Sequence, residues 1–164
     1  MKTLYLIGGT MGVGKTTVAR CLKERLDKSV MLDGDWCWDM HPFVVSNVTK
    51  RLVMDNIHAL LRNFLKCSEI ENIVFCWVMH EQQIIEDILA SLPLEDCCVI
   101  TVSLMASEDT LRARLQADVD AGKRQEDVIA RSVARLPLYG VLHTVKILTD
   151  GKTPEAIAAE ILDM

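Results

Sequence analysis

The stretch that decides the fold is LIGGTMGVGKTTVARCL, which runs from Leu6 to Leu22. An apolar run, KTLYLI, leads into a series of closely spaced glycines that ends in Lys-Thr-Thr. Beyond the glycines, Val18, Leu22 and Leu26 recur at the spacing of one helix face. The segment therefore predicts a strand over Thr3–Ile7, a glycine loop, and a helix over Thr16–Leu26.

The glycine loop has the spacing Gly9-x-x-x-x-Gly14-Lys15-Thr16, which is the Walker A or P-loop pattern, and it lies between a strand and a helix as that pattern requires. Bare backbone N–H groups bind phosphate, helped by the positive helix N-terminus, while the lysine contacts the terminal phosphates and the Thr16 hydroxyl ligates Mg²⁺. A glycine-rich turn with a solvated lysine is the alternative. The predicted nucleotide-binding residues in this loop are Gly9, Thr10, Met11, Gly12, Val13, Gly14, Lys15, Thr16 and Thr17.

The composition narrows the function classes. A net charge of −5 over 164 residues offers no basic surface for general nucleic-acid binding. The six cysteines lack C-x-x-C spacing, so we expect reduced, mostly buried thiols rather than a zinc site or disulfides. No apolar run reaches the roughly 18 residues of a membrane span, and the start is too short for a signal segment. We expect a cytoplasmic protein without a membrane partner, either a monomer or a homodimer.

Strand and helix patterns alternate along the rest of the chain, with no repeat or linker. This alternation predicts a parallel sheet covered by helices, in a single domain over residues 1–164. Ser107 is predicted to cap one helix, and Thr153-Pro154 to begin the last. The further strands are predicted at Val30–Leu32, Asn72–Val78, Cys97–Leu104 and Val145–Leu148, and the further helices at Val48–Leu65, Glu81–Ser91, Ser107–Val119 and Val128–Leu136.

An acidic turn, Asp33-Gly34-Asp35, ends the second predicted strand, at the edge where parallel sheets bind ligands. Phosphoryl transfer to a hydroxyl needs one carboxylate near the acceptor proton and another near the metal. Asp35 is favoured as the acceptor-side acid because it lies farther from the strand, and Asp33 as a metal-shell residue beside Thr16. An ordinary Asp-Gly turn would use the same residues.

Together these segments resemble the P-loop kinases of small molecules, which include nucleoside monophosphate, shikimate, gluconate and antibiotic kinases. GGTMGVGKTT is similar to their phosphate loop, VMLDGDW to the acidic turn of the shikimate and gluconate branch, and LRARL with GKRQEDVIARSVARLPLY to the lid region of adenylate kinases. The resemblance implies a three-layer α/β P-loop NTPase fold. It also implies a five-stranded parallel sheet of order 2-3-1-4-5 flanked by helices, and a small lid at about 119–127.

The resemblance also implies roles for three arginines. Arg114 would pack on adenine, and Arg124 and Arg135 would reach the phosphates, although a solvated helix face is the alternative for them. Two departures stand out. The third strand, IVFCWVMH, has no aspartate for the metal shell, and Asp118 stands where adenylate kinases often have a lid arginine.

Several residues are candidates for the acceptor pocket. Trp36 follows the acidic turn, Arg51 lies in the next helix, and His80 ends the third strand. Each also has an ordinary structural interpretation: core beneath a flap, a solvated arginine, or a strand-terminal residue.

These observations predict an ATP-dependent, Mg²⁺-requiring kinase of a small molecule, with Lys15, Asp33, Asp35, Arg124 and Arg135 as its catalytic residues. The acidic turn favours a hydroxyl acceptor over a nucleoside monophosphate. The alternatives are a nucleoside monophosphate kinase, a non-catalytic nucleotide sensor, and a kinase acting on nucleic-acid ends.

Overall fold

The computed structural model describes all 164 residues as alternating strands and helices. The strands are β1 (Lys2–Gly8), β2 (Ser29–Asp33), β3 (Asn72–Cys76), β4 (Cys97–Met105) and β5 (Val145–Leu148). The helices are α1 (Lys15–Arg25), α2 (Asn47–Lys66), α3 (Gln82–Ala90), α4 (Glu108–Asp120), α5 (Asp127–Arg135) and α6 (Pro154–Leu162). Short 3-10 helices span Gly34–Trp38 and Leu136–Val141.

The five strands form one all-parallel sheet in the order β2-β3-β1-β4-β5, which confirms the predicted topology and the P-loop NTPase fold class. Side chains of β1 alternate between the two faces, as the strand period of two requires. Leu4 and Leu6 pack with α2 and α3, whereas Tyr5 and Ile7 pack with α1, α4, α5 and α6. Two hydrophobic cores therefore lie on opposite faces of the sheet, and the fold has three layers: helices, sheet and helices.

The predicted helix caps are present. Ser107 accepts a hydrogen bond from the Thr110 amide, and Thr153 accepts one from the Ala156 amide with Pro154 in the first turn. The carboxylate of Asp150, which follows β5, accepts the Ser107 amide at 3.0 Å. This bond joins the start of α4 to the loop before α6.

The buried face of α2 differs from the one predicted. Apolar residues at helical spacing in the sequence, Val53, Ile57, Leu60 and Phe64, predict one buried face, but the buried residues are Val53, Ile57, Leu61 and Leu65. The contact follows an i, i+4 row, which runs obliquely along a helix surface and so matches the twist of the sheet beneath it. The buried stripe therefore drifts away from Leu60 and Phe64 toward the end of the helix.

The six cysteines are free thiols in the structure, and only Cys76 is buried, so the expectation of mostly buried thiols was wrong. None of the helices combines the length and the apolarity that crossing a membrane would require.

Candidate active site

The phosphate loop connects β1 to α1 at the carboxyl edge of the sheet. Gly14 precedes α1 with φ of 101°, a left-handed conformation that glycine adopts without strain. No side chain caps α1, so its first N–H groups have no side-chain acceptor. The loop thus presents backbone donors and a helix N-terminus, which is the arrangement that binds phosphate.

Side-chain hydrogen bonds fix the shape of this loop. The hydroxyl of Thr10, which is fully buried, donates to the carbonyl of Ser132 in α5 at 2.9 Å. The Lys15 ammonium donates to the Thr10 carbonyl at 3.0 Å. Burial lowers the pKa of Lys15, and the negative charges of Asp35 and Asp33 partly offset that shift.

The acidic turn contacts the phosphate loop directly. The Thr16 hydroxyl donates to Asp33 Oδ2 at 2.8 Å, and the Asp35 amide donates to Asp33 Oδ1 at 3.0 Å. Asp33 is only 5% exposed, so both oxygens of a buried carboxylate are satisfied. The pair brings together the two residues that the sequence predicted for a metal shell.

Asp35 lies two residues beyond Asp33, in the 3-10 helix Gly34–Trp38, and is exposed to solvent. Desolvation of its carboxylate and the negative charge of Asp33 raise the pKa of Asp35, while the Lys15 ammonium opposes that rise. A carboxylate with a raised pKa accepts a proton more readily than an ordinary aspartate does. This is a property expected of a general base.

The oxygen donors of Thr16 and Asp33 fit Mg²⁺, which binds one or two protein oxygens and completes its shell with water and phosphate. No group of three or more His, Cys, Asp or Glu side chains is arranged to hold a metal by itself. A magnesium ion at this position would therefore depend on nucleotide phosphates for further ligands.

The sequence analysis missed two residues at the end of β3. Cys76 is the register partner of Asp33 on one side and of Ile7 on the other, and burial raises the pKa of its thiol. Trp77 packs its ring against Gly34, so close that a Cβ there would lie 2.4 Å from the ring. Both residues belong to an apolar run that indicated only a buried strand.

The three predicted arginines lie in different surroundings. Arg114 donates to the Thr149 hydroxyl at 3.0 Å and to the Val13 carbonyl at 3.4 Å, between the phosphate loop and the loop before α6. Arg124 lies in the exposed segment between α4 and α5, paired with Asp118 at 3.1 Å. Its positive charge contributes to the lowered pKa of Lys15 and opposes the rise in the pKa of Asp35. Asp118 stands where the family resemblance leads us to expect a lid arginine. In the structure it forms an ion pair with another predicted lid arginine, Arg124.

Arg135 lies close to His80, which stands four residues beyond the end of β3 and not at the end of the strand as predicted. Burial first and the charge of Arg135 second lower the pKa of His80, while Glu81 opposes them from 3.3 Å. His80 Nδ1 is buried without a hydrogen-bond partner. Of the other acceptor-side candidates, Trp36 is exposed beside Asp35, and Arg51 lies apart from the loop, in a groove along α2.

Comparison with known proteins shows the family of this chain. Residues 6–133 match the family model described as "AAA domain", which is more than half of the chain. The chain belongs to that family. No curated protein matches the sequence as a relative.

Solved structures show that this AAA domain has the fold of P-loop small-molecule kinases. A gluconokinase from Sinorhizobium meliloti superposes with a TM-score of 0.71 at 17% identity, over 98% of this chain and 90% of its own. A tunicamycin resistance protein from Deinococcus radiodurans gives 0.69 at 21% identity, over 99% and 95%. Shikimate kinase from Acinetobacter baumannii gives 0.65 at 22% identity, over 99% and 92%.

The contact between Trp77 and Gly34 yields a first prediction. Gly34→Ala should destabilise this AAA domain by about 1–3 kcal/mol, because the new methyl group must displace a packed indole ring. Gly140→Ala is the matched control, since nothing lies within 4 Å of the added methyl group. Urea denaturation of both variants measures the free energies of unfolding. Equal stabilities would show that Trp77 does not constrain the acidic turn.

The raised pKa of Asp35 yields a second prediction. Because the folded protein favours the protonated carboxyl, the ionised form reduces stability above the folded pKa, and this cost disappears below the ordinary value of 3.8. Asp35→Asn should therefore have a higher Tm than the wild type at pH 7, with the gap closing toward pH 4. Asp39→Asn, an exposed neighbour, is the control. A Tm gap that is absent at pH 7, or the same at both pH values, would contradict this electrostatic account.

Proposed function

We propose that this protein is an ATP-dependent phosphotransferase that moves the γ-phosphoryl group to a hydroxyl of a small molecule. The observation that carries the proposal is the contact between Thr16 and Asp33, which joins the phosphate loop to the acidic turn. A phosphate-binding loop alone supports only nucleotide binding. A phosphate-binding loop that is hydrogen-bonded to a two-carboxylate turn also has the groups that phosphoryl transfer requires.

In this proposal the backbone N–H groups of Gly9–Thr17 and the Lys15 ammonium bind the phosphates. The partly desolvated ammonium gains more from a phosphate than a solvated lysine would, because less water screens it. Arg114 is hydrogen-bonded to Thr149 and to the phosphate loop, and in this proposal it borders the position of the adenine base of ATP. Thr16 and Asp33 hold Mg²⁺, which when bound supplies positive charge to the phosphate oxygens.

The transfer step uses Asp35 as the general base. Its carboxylate takes the proton from the acceptor hydroxyl as the hydroxyl oxygen bonds to the γ-phosphorus. The bond from that phosphorus to the bridging oxygen breaks, and ADP leaves with the electron pair. The position of Asp35, open to solvent yet beside Asp33 and Lys15, suits a group that meets an incoming acceptor.

Two arginines complete the proposed site. Arg124, on the segment at about 119–127, and Arg135, beside His80, would stabilise the charge of the transferring phosphoryl group. The segment is exposed and polar, as a lid that closes over nucleotide would be. Closure would exclude water, which otherwise hydrolyses ATP.

A nucleotide sensor is the second candidate, and one observation favours it. Several large apolar side chains next to the acidic turn are exposed, and a signalling protein would use such a surface for a partner. A sensor would bind nucleotide and transfer no phosphoryl group, so a transfer assay separates the two functions.

The test compares two substitutions. Lys15→Ala should weaken ATP binding by about 10- to 150-fold, since a hydrogen bond to a charged group contributes ~1.5–3 kcal/mol. Asp35→Asn should bind ATP normally but lower phosphoryl transfer by ~10²-fold or more, the usual contribution of a positioned base. Calorimetry measures ATP affinity, and transfer from labelled ATP is measured across nucleosides, sugars, shikimate-like acids and antibiotics.

Asp39→Asn is the matched control, because it removes an exposed carboxylate four residues away without touching the turn. If no acceptor in the panel works, Mg²⁺-dependent ATP hydrolysis serves as the activity. Unchanged ATP affinity in a folded Lys15→Ala protein would contradict the proposed phosphate site. Normal phosphoryl-transfer rates in Asp35→Asn would contradict the role of Asp35 as general base and favour a nucleotide sensor.

A further inference from the structure

An exposed apolar surface lies beside the acidic turn and contains none of the residues that the proposed function assigns to the nucleotide. It consists of Trp36, Phe43, Val44, Val45, Val48 and Leu52, and we refer to it as the apolar apron. Trp36 is 56% exposed, Phe43 65% and Val48 77%. Six large apolar side chains within seventeen residues are more than scattered surface residues, and such patches usually mark a binding site.

Aromatic contacts connect the apron to the candidate active site. Trp77 packs on Gly34, between the two aspartates. The Trp38 ring lies 6.5 Å from that of Trp77 and 5.8 Å from that of Phe43. Trp38 Nε1 also donates to the Val44 carbonyl at 3.3 Å. A continuous row of rings therefore runs from the proposed base to the apron.

The charges around the apron disfavour an anionic occupant. From Asp35 to Asp55 the chain has three acidic residues and two basic ones. The basic residues are Lys50 and Arg51, and Arg51 lines the groove along α2 together with Asp55 and Leu52. The cations near Asp35 are Lys15 and Arg124, which the proposed function assigns to the nucleotide phosphates, so a carboxylate or phosphate on the acceptor would meet Asp35 without a cation of its own. An uncharged occupant fits this surface better.

We infer that the acceptor is an uncharged amphiphile, in which the reactive hydroxyl is attached to an alkyl chain or a flat apolar ring system that lies on the apron. The inference rests on the proposed function and specifies its substrate class. The hydroxyl meets Asp35 while the apolar part covers Trp36 and Phe43. Such pockets are mostly apolar, with a few polar groups that orient the ligand.

The tryptophans allow a direct test, because all three in the chain, Trp36, Trp38 and Trp77, belong to this row of rings or border it. Their intrinsic fluorescence therefore reports on this surface and on the acidic turn that Trp77 contacts. The probes are methyl, butyl, hexyl and octyl β-D-glucoside, which share one hydroxylated head group. They are titrated below their micelle concentrations with Mg²⁺ and a nonhydrolysable ATP analogue present.

Affinity should rise with chain length, by about two- to fourfold for each methylene group that the apron covers. Methyl β-D-glucoside should give little or no saturable change. Phe43→Ser and Val48→Ser should each flatten the dependence on chain length while leaving all three tryptophans in place. Val141→Ser is the matched control, because Val141 is 80% exposed but lies in the 3-10 helix before β5, outside the apron.

Three results would overturn the inference. One is equal affinity for the methyl and octyl glucosides. Another is a chain-length dependence that persists in both serine variants. The third is a concentration-dependent dimer, seen by sedimentation and abolished by Phe43→Ser, because a second copy would then occupy the apron. Calorimetry of ATP on the same samples keeps the two proposals separate: normal ATP binding with no chain-length dependence contradicts only the acceptor class, whereas absent ATP binding contradicts the proposed function.

Discussion

The hydrogen bond from the Thr16 hydroxyl to Asp33 is the contact on which the candidate active site depends, because it joins the phosphate loop to the acidic turn. β1, which leads to the phosphate loop, and β2, which leads to the acidic turn, are separated in the sheet by β3. Cys76 occupies the position between them. Its small side chain leaves room for the contact, and burial keeps its thiol protonated. β3 has no aspartate, and Asp33 at the end of β2 is the buried carboxylate at this edge of the sheet.

The charged groups at this edge of the sheet reduce the stability of the fold. Lys15 is desolvated, which lowers its pKa, and Asp35 lies beside another carboxylate, which raises its own. A bound phosphate would stabilise the charged form of Lys15. A proton taken from a hydroxyl would neutralise Asp35. Groups held in unfavourable protonation states while the site is free are characteristic of catalytic sites, where stability is lost to activity.

Much of the fold could be predicted from the residues. Alternating strand and helix patterns predicted the elements to within about two residues, and the cap residues Ser107 and Thr153 marked two helix starts correctly. The strand order followed from the family resemblance.

Local patterns could not predict contacts that depend on tertiary packing: the drift of the α2 face toward Leu61 and Leu65, the anchoring of Thr10 by Ser132, and the position of Trp77 against Gly34. The clustering of Lys15, Thr16 and Asp33 was predicted, because carboxyl ends of parallel strands share one edge. The roles of these residues remain predictions.

The most direct test of the account is the effect of Mg²⁺ on ATP affinity in the wild type and in Asp33→Asn, measured by calorimetry. If Thr16 and Asp33 hold the metal, Mg²⁺ should tighten ATP binding in the wild type and do so much less in the variant. Their affinities without Mg²⁺ should be similar, because the single oxygen of asparagine can still accept the Thr16 hydrogen bond, and only the bond from the Asp35 amide to the other carboxylate oxygen is lost. An equal enhancement by Mg²⁺ in both proteins would contradict the assignment of this pair as the metal site and, with it, the link between phosphate loop and acidic turn on which the proposed chemistry rests.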